Sequence, residues 1–225
     1  MLYRLLLLAS LVSGCAQGAH EIVHIVDADQ RGDDDDDTID APGRERPDAA
    51  PHVDAGDGCT TTQLLKNGAF DDTPLGTGWT ETPVESQFPI ITTSTFLVPP
   101  QSGTAIAWMG DFTSGNDSMY EAFTVPANTT SLVLSGYYAV GTDELADIAF
   151  DTATVAFTQT DGTVLETVLN LDNTSATTDW TVINYTVNQD LSGQTVRLHF
   201  ASSNDSSNVT DFYFDTLALN ATHCP

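Results

Sequence analysis

The side chains able to do chemistry in this 225-residue chain are few in kind: three cysteines, five histidines and 32 acidic residues, set against six basic ones. Beyond residue 58 the only histidines are His199, inside an alternating apolar–polar run, and His223, beside Cys224. Neither has the HExxH spacing of a zinc protease. No GxSxG nucleophile turn, phosphate-cradling GxxxxGK[ST] loop or CxxC pair occurs. A pair of carboxylates could in principle hydrolyse a glycoside, but the nineteen acidic residues beyond residue 58 place some pairs together by number alone. No catalytic residue is assigned, and the chain reads as a non-enzyme.

Asp215 is the most informative of the acids. In an extended strand it shares parity with Tyr213, Leu217 and Leu219, so it is expected to point toward apolar neighbours. A carboxylate there needs a partner, yet only Lys66 and Arg197 carry positive charge beyond residue 58. A hard cation held by oxygen ligands would satisfy it. The alternative is compensation by backbone N–H groups or by Lys66 or Arg197, with no metal.

The first residues place the protein. Arg4 precedes the apolar run Leu5-Leu6-Leu7-Leu8, small residues come after it, and Cys15 closes the segment. This is the order of an export signal, and the run is too short to span a bilayer. Val12-Ser13-Gly14-Cys15 resembles the lipobox of bacterial lipoproteins, which implies a signal peptide over 1–14 and acylation of Cys15. An ordinary cleaved signal with an incidental cysteine is the alternative. Several acyl chains hold a protein firmly to its membrane, at about 0.8 kcal/mol per buried methylene. Ala16 in place of an Asp favours the outer membrane or cell surface within the lipoprotein class.

Residues 15–58 differ in texture from the remainder of the chain. Five consecutive aspartates (33–37) and repeated Asp, Pro, Ala and Gly leave little apolar surface to repay ordering entropy. The segment reads as a disordered acidic linker, extended by its own repulsion. It lacks the spaced pattern, ending in Glu, of an EF-hand loop. The formal net charge of -26 excludes nucleic acid as a partner, which needs Lys and Arg on phosphates, and favours a monomer.

From 59 to 225 the chain turns to short Thr-, Val-, Leu-, Phe- and Tyr-rich runs. Val196, Leu198 and Phe200 alternate with Arg197 and His199; Leu132 and Leu134, Val155 and Phe157, and Ile183, Tyr185 and Val187 keep the same period. Turn signals such as Asp161-Gly162 and Ser192-Gly193 separate them. The pattern predicts an all-β fold, an antiparallel β-sandwich (jelly roll). The best helical candidate, residues 143–150, is at most two turns. With Cys15 acylated, Cys59 and Cys224 remain, one at each end of the domain, and an oxidising compartment favours a bond between them over two free thiols.

Leu64-Leu65-Lys66-Asn67-Gly68-Ala69-Phe70-Asp71, then Gly78-Trp79-Thr80, and the closing Phe212-Tyr213-Phe214-Asp215-Thr216-Leu217 resemble the opening and final strands of jelly-roll modules related to carbohydrate-binding modules. With Met119-Tyr120-Glu121 and Trp180 between them, the series is similar to the MAM-like sandwich domains of secreted bacterial peptidases. The resemblance implies a structural calcium ion held by Asp71 and Asp215, with Glu144 and Asp151 as further ligands, although Thr216 stands where the family often has a second Asp. Trp79 and Trp180 fall on structural positions of the motif. Trp108 shares parity with Ile106 and is assigned to the interior. The expected role is recognition or adhesion of a glycan or surface protein, with Tyr137 and Tyr138 as candidate sugar platforms. A structural or assembly lipoprotein docking an envelope protein is the alternative, and a hydrolase the second one.

Overall fold

The alternating runs become strands because each can turn one side chain in two toward a shared core. The computed structural model describes residues 58–225 apart from Ala146, so the signal peptide, Cys15 and the linker up to residue 57 lie outside the described residues. Eleven strands lie among those described: β1 (Thr60–Gln63), β2 (Thr80–Thr82), β3 (Ile91–Thr92), β4 (Ile106–Met109), β5 (Asn116–Thr124), β6 (Thr129–Thr142), β7 (Thr152–Thr158), β8 (Val164–Asp172), β9 (Thr181–Thr186), β10 (Thr195–Ser203) and β11 (Thr210–His223). They form two antiparallel sheets, ordered β3-β4-β11-β6-β9, with β1 also on β11, and β2-β5-β10-β7-β8. This is the expected β-sandwich.

The core lies between the sheets. Val196, Leu198 and Phe200 of β10 point inward as their alternation predicts, and meet Phe212, Phe214, Leu217 and Leu219 of β11. Phe200 and Phe214 are in edge contact across the layer, their ring centroids 4.8 Å apart. Trp79 also belongs to this core, against Phe70 and Phe200, with its indole N–H on the Asn67 carbonyl. Cys59 and Cys224 are joined by a disulfide, because β1 runs antiparallel to the end of β11 with Thr60 opposite His223.

The described residues of the helical candidate 143–150 form turns and bends, in keeping with the all-β reading; Leu145 and Ile148 are exposed, so no apolar face repays helix nucleation. Two expectations need correction. Asp215 does not share a face with Leu217 and Leu219. The β6–β11 register shifts between Asp215 and Ala218, and Thr216 takes a φ of 53°, so the strand changes face within two residues. Tyr213 and Asp215 therefore lie on the outer face of the sheet. Trp108 and Trp180 are not in the main core either. Both are half-buried against a second apolar cluster of Val98, Ile106, Ala139 and Tyr213, on that outer face.

Candidate ligand-binding cleft

Strand β4 positions the cleft. Its Ala107 and Met109 face the core, so Trp108 must face outward. Three contacts fix the indole: the Trp108 backbone N–H donates to Ile90 (2.9 Å), its Nε1–H donates to the Asp211 carboxylate (2.9 Å), and its ring meets Tyr213 at 5.5 Å. Phe96, 80% exposed, lies nearly parallel to Trp108, with an interplanar angle of 12° and centroids 6.5 Å apart. After β4 the chain turns at Gly110, where φ is 96° and an added Cβ would run into the Thr210 carbonyl. That turn brings Asp111 and Phe112 to the rim. Phe112 packs on the half-exposed Phe88 at 5.4 Å.

Two adjoining cavities result, of about 470 and about 260 Å³. Phe96, Trp108 and Asp111 line both. The larger adds Phe88, Phe112 and the hydroxyls of Thr92, Ser94 and Thr95; the smaller adds Thr142, Asp143 and Asp211. Asp211, 7% exposed, has its carboxyl pushed up to about 6 by burial, against the pull of the Trp108 indole N–H and with the charges of Asp111 and Asp143 adding to the rise. Asp111 is exposed at the rim; partial desolvation there, then the neighbouring Asp117, raises it. Burial, then the Asp211 charge, raises the Tyr213 phenol. Asp117 is compensated, with Val84 N–H on Oδ1 (2.6 Å) and Gly110 N–H on Oδ2 (2.8 Å). Aromatic walls with a few convergent polar groups and displaced titrations are the usual marks of a ligand site.

The opposite sheet offers a second polar surface. There the Arg197 guanidinium covers the Tyr120 ring at 4.0 Å, and burial, then Arg197, lowers His199. The cation occupies a face that a sugar would need.

The residues expected to hold calcium separate into two pairs, each bonded to a different loop. Asp71 accepts from Thr104 N–H (2.7 Å), the Thr104 hydroxyl (3.1 Å) and Ala105 N–H (3.1 Å). Asp215 accepts from Gln101 N–H (2.7 Å), Ser102 N–H (3.1 Å) and Thr216 N–H (2.5 Å). Burial raises Asp215; those N–H groups oppose the rise, and the Asp71 charge adds to it. Glu144 instead accepts from Ser207 and Asn208, and Asp151 from Asp205 N–H and the Thr210 hydroxyl. Among the described residues no three acidic, His or Cys side chains gather as a metal cage. The four do not fit one calcium site, and the buried carboxylate of Asp215 is compensated by backbone N–H groups.

The candidate platforms Tyr137 and Tyr138 are half-buried and line neither cavity. Tyr138 packs on the core, while Tyr137 stands opposite Asp215 and Val182. Phe88, Phe96 and Phe112 carry the cleft instead. Phe96 was legible only as a lone aromatic ending a Thr/Ser run, Thr92-Thr93-Ser94-Thr95, which has no strand period.

No protein-family model matches the sequence, and no curated protein matches it. In three dimensions the chain is similar to TmCBM61, a carbohydrate-binding module solved in complex with β-1,4-galactotriose: identity is 11% and the TM-score 0.51, over 70% of this chain and 97% of that one. It is also similar to the apo form of a cyclase from Fischerella sp., at 13% identity and a TM-score of 0.49, covering 73% of this chain and 98% of that one. A third similar structure is the CBM22-1 xylan-binding domain of Xyn10C from Paenibacillus barcinonensis, at 14% identity and a TM-score of 0.41, covering 72% and 96%. At 11% identity the likeness to TmCBM61 bears on the fold alone, a β-sandwich.

Proposed function

We propose that the chain is a lipid-anchored, extracytoplasmic recognition protein whose β-sandwich binds a glycan, without catalysis, in the cleft around Phe96 and Trp108. One observation carries the proposal: an exposed phenylalanine lies parallel to a fixed indole, between cavities rimmed by hydroxyls and carboxylates. A sugar ring stacks its C–H face on such a platform, and carboxylates accept its hydroxyl protons. Because Asp211, Tyr213 and Ile90 hold the Trp108 side of the platform, little ordering cost falls on binding. The export signal, the resemblance of residues 12–15 to a lipobox and the acidic 15–58 segment support display at the outer membrane or cell surface.

The test is a glycan array probed with the purified full chain and with Phe96→Ala. Binding of at least one glycan that the variant loses is the expected result. Failure to bind any glycan would overturn the reading, and release of reducing ends from a bound polysaccharide would replace it with a hydrolase.

A further inference from the structure

We infer that the glycan taken by this cleft carries free ammonium groups, as a de-N-acetylated amino sugar does, rather than being neutral; the inference rests on the glycan reading above. Every charged residue lining the two cavities is an aspartate: Asp111, Asp117, Asp143 and Asp211. No Lys, Arg or His lines either. The only Lys and Arg beyond residue 58 are engaged elsewhere, Arg197 over Tyr120 and Lys66 beside Glu121.

The four carboxylates are not equivalent. Asp117 is satisfied by two backbone N–H groups, and Asp211 by the Trp108 indole. The Asp111 carboxylate, exposed at the rim, accepts no hydrogen bond among the described residues and lines both cavities beside Phe96 and Trp108, so it is free to meet a ligand. Burial and the charges of Asp111 and Asp143 raise the Asp211 carboxyl, and Asp117 adds to the rise of the exposed Asp111. A cation seated between Asp111 and Asp211 therefore relieves a costly negative charge. The aromatic walls act in the same sense, because the faces of Phe and Trp rings attract ammonium groups. A neutral sugar can use the carboxylates only as hydroxyl acceptors. For its own oxygens it finds the hydroxyls of Thr92, Ser94 and Thr95 but no charged donor, and the indole N–H is spent on Asp211. An anionic sugar meets two aspartates in the larger cavity and three in the smaller.

The experiment is calorimetric titration of the full chain, at mildly acidic pH and physiological salt, with a β-1,4-glucosamine hexamer, its fully N-acetylated counterpart and polylysine. The expected result is at least about tenfold tighter binding of the free-amine hexamer, a preference that Asp111→Asn removes and Asp161→Asn, in an exposed turn outside the cleft, leaves intact. Equal binding of the two hexamers, both weakened by Phe96→Ala, would overturn the ammonium inference and leave the glycan reading standing. Polylysine binding as tightly as the hexamer, unaffected by Phe96→Ala, would reduce the effect to bulk charge and overturn the inference. Binding of neither hexamer nor any arrayed glycan would remove both.

Discussion

Replacing Asp211 by Asn should stabilise the fold at neutral pH and erase part of its pH dependence. The folded carboxyl titrates at about 6 against a reference of 3.8, raised chiefly by burial. The folded state thus holds a proton that the unfolded state has released between those two values. Stability contributed by this group is highest below 3.8, falls as pH rises, and is fully lost above about 6. At 1.36 kcal/mol per pH unit the interval corresponds to about 3 kcal/mol of destabilisation at pH 7. Asn keeps an oxygen for the Trp108 indole N–H and carries no charge to desolvate. The variant should therefore melt higher at neutral pH, by roughly 6–12 °C for a domain of this size. The gap to wild type should close as pH approaches 4. Calorimetric melting of both proteins across that range measures it, and subtracting the curves cancels the remaining carboxylates. A variant no more stable at pH 7, or a gap independent of pH, would refute the burial of a charged Asp211.

The Cys59–Cys224 bond closes 165 residues, so Cys59→Ser should lower stability by about 5 kcal/mol in the chain-entropy view, read as a shifted urea midpoint; an unchanged midpoint would mean the strand pairing of β1 with β11 already holds the termini. Asp215→Ala strands the N–H groups of Gln101, Ser102 and Thr216 and should cost about 3 kcal/mol or more, since each buried orphan donor costs about 1–3 kcal/mol. Chelation by EGTA should leave the melting temperature unchanged, because those N–H groups already compensate Asp215; a drop reversed by calcium would instead establish an ion at Asp71 and Asp215.

The sandwich was legible because period-2 patterning is read from neighbouring residues, as in Val196, Leu198 and Phe200. The importance of Asp215 was legible for the same reason, but not its direction. The face change at Thr216 depends on a positive φ at a non-glycine residue, which nothing in the local sequence marks. The cleft was hidden for a different reason. Phe88 and Phe96 lie in segments without strand period, and they reach Trp108 only because β3 and β4 pair and the chain folds over them. Parity correctly grouped Trp108 with Ile106, yet parity alone cannot say which face of a sheet meets the larger core. Of the expected calcium residues, Asp71 and Asp215 lie near each other while Glu144 and Asp151 bond to a different loop. The 101–105 loop brings its own N–H groups to Asp71 and Asp215.

The most direct test of ligand recognition at this cleft is a two-dimensional NMR titration of the full chain, following its three tryptophan indole N–H signals as a glycan that binds it is added. The Trp108 signal should shift, because its ring faces both cavities, while that of Trp79, 8% exposed and bonded to the Asn67 carbonyl in the core, should stay in place. An unmoved Trp108 signal with shifts confined to backbone amides around Tyr120 and Arg197 would contradict the account and transfer recognition to the other sheet.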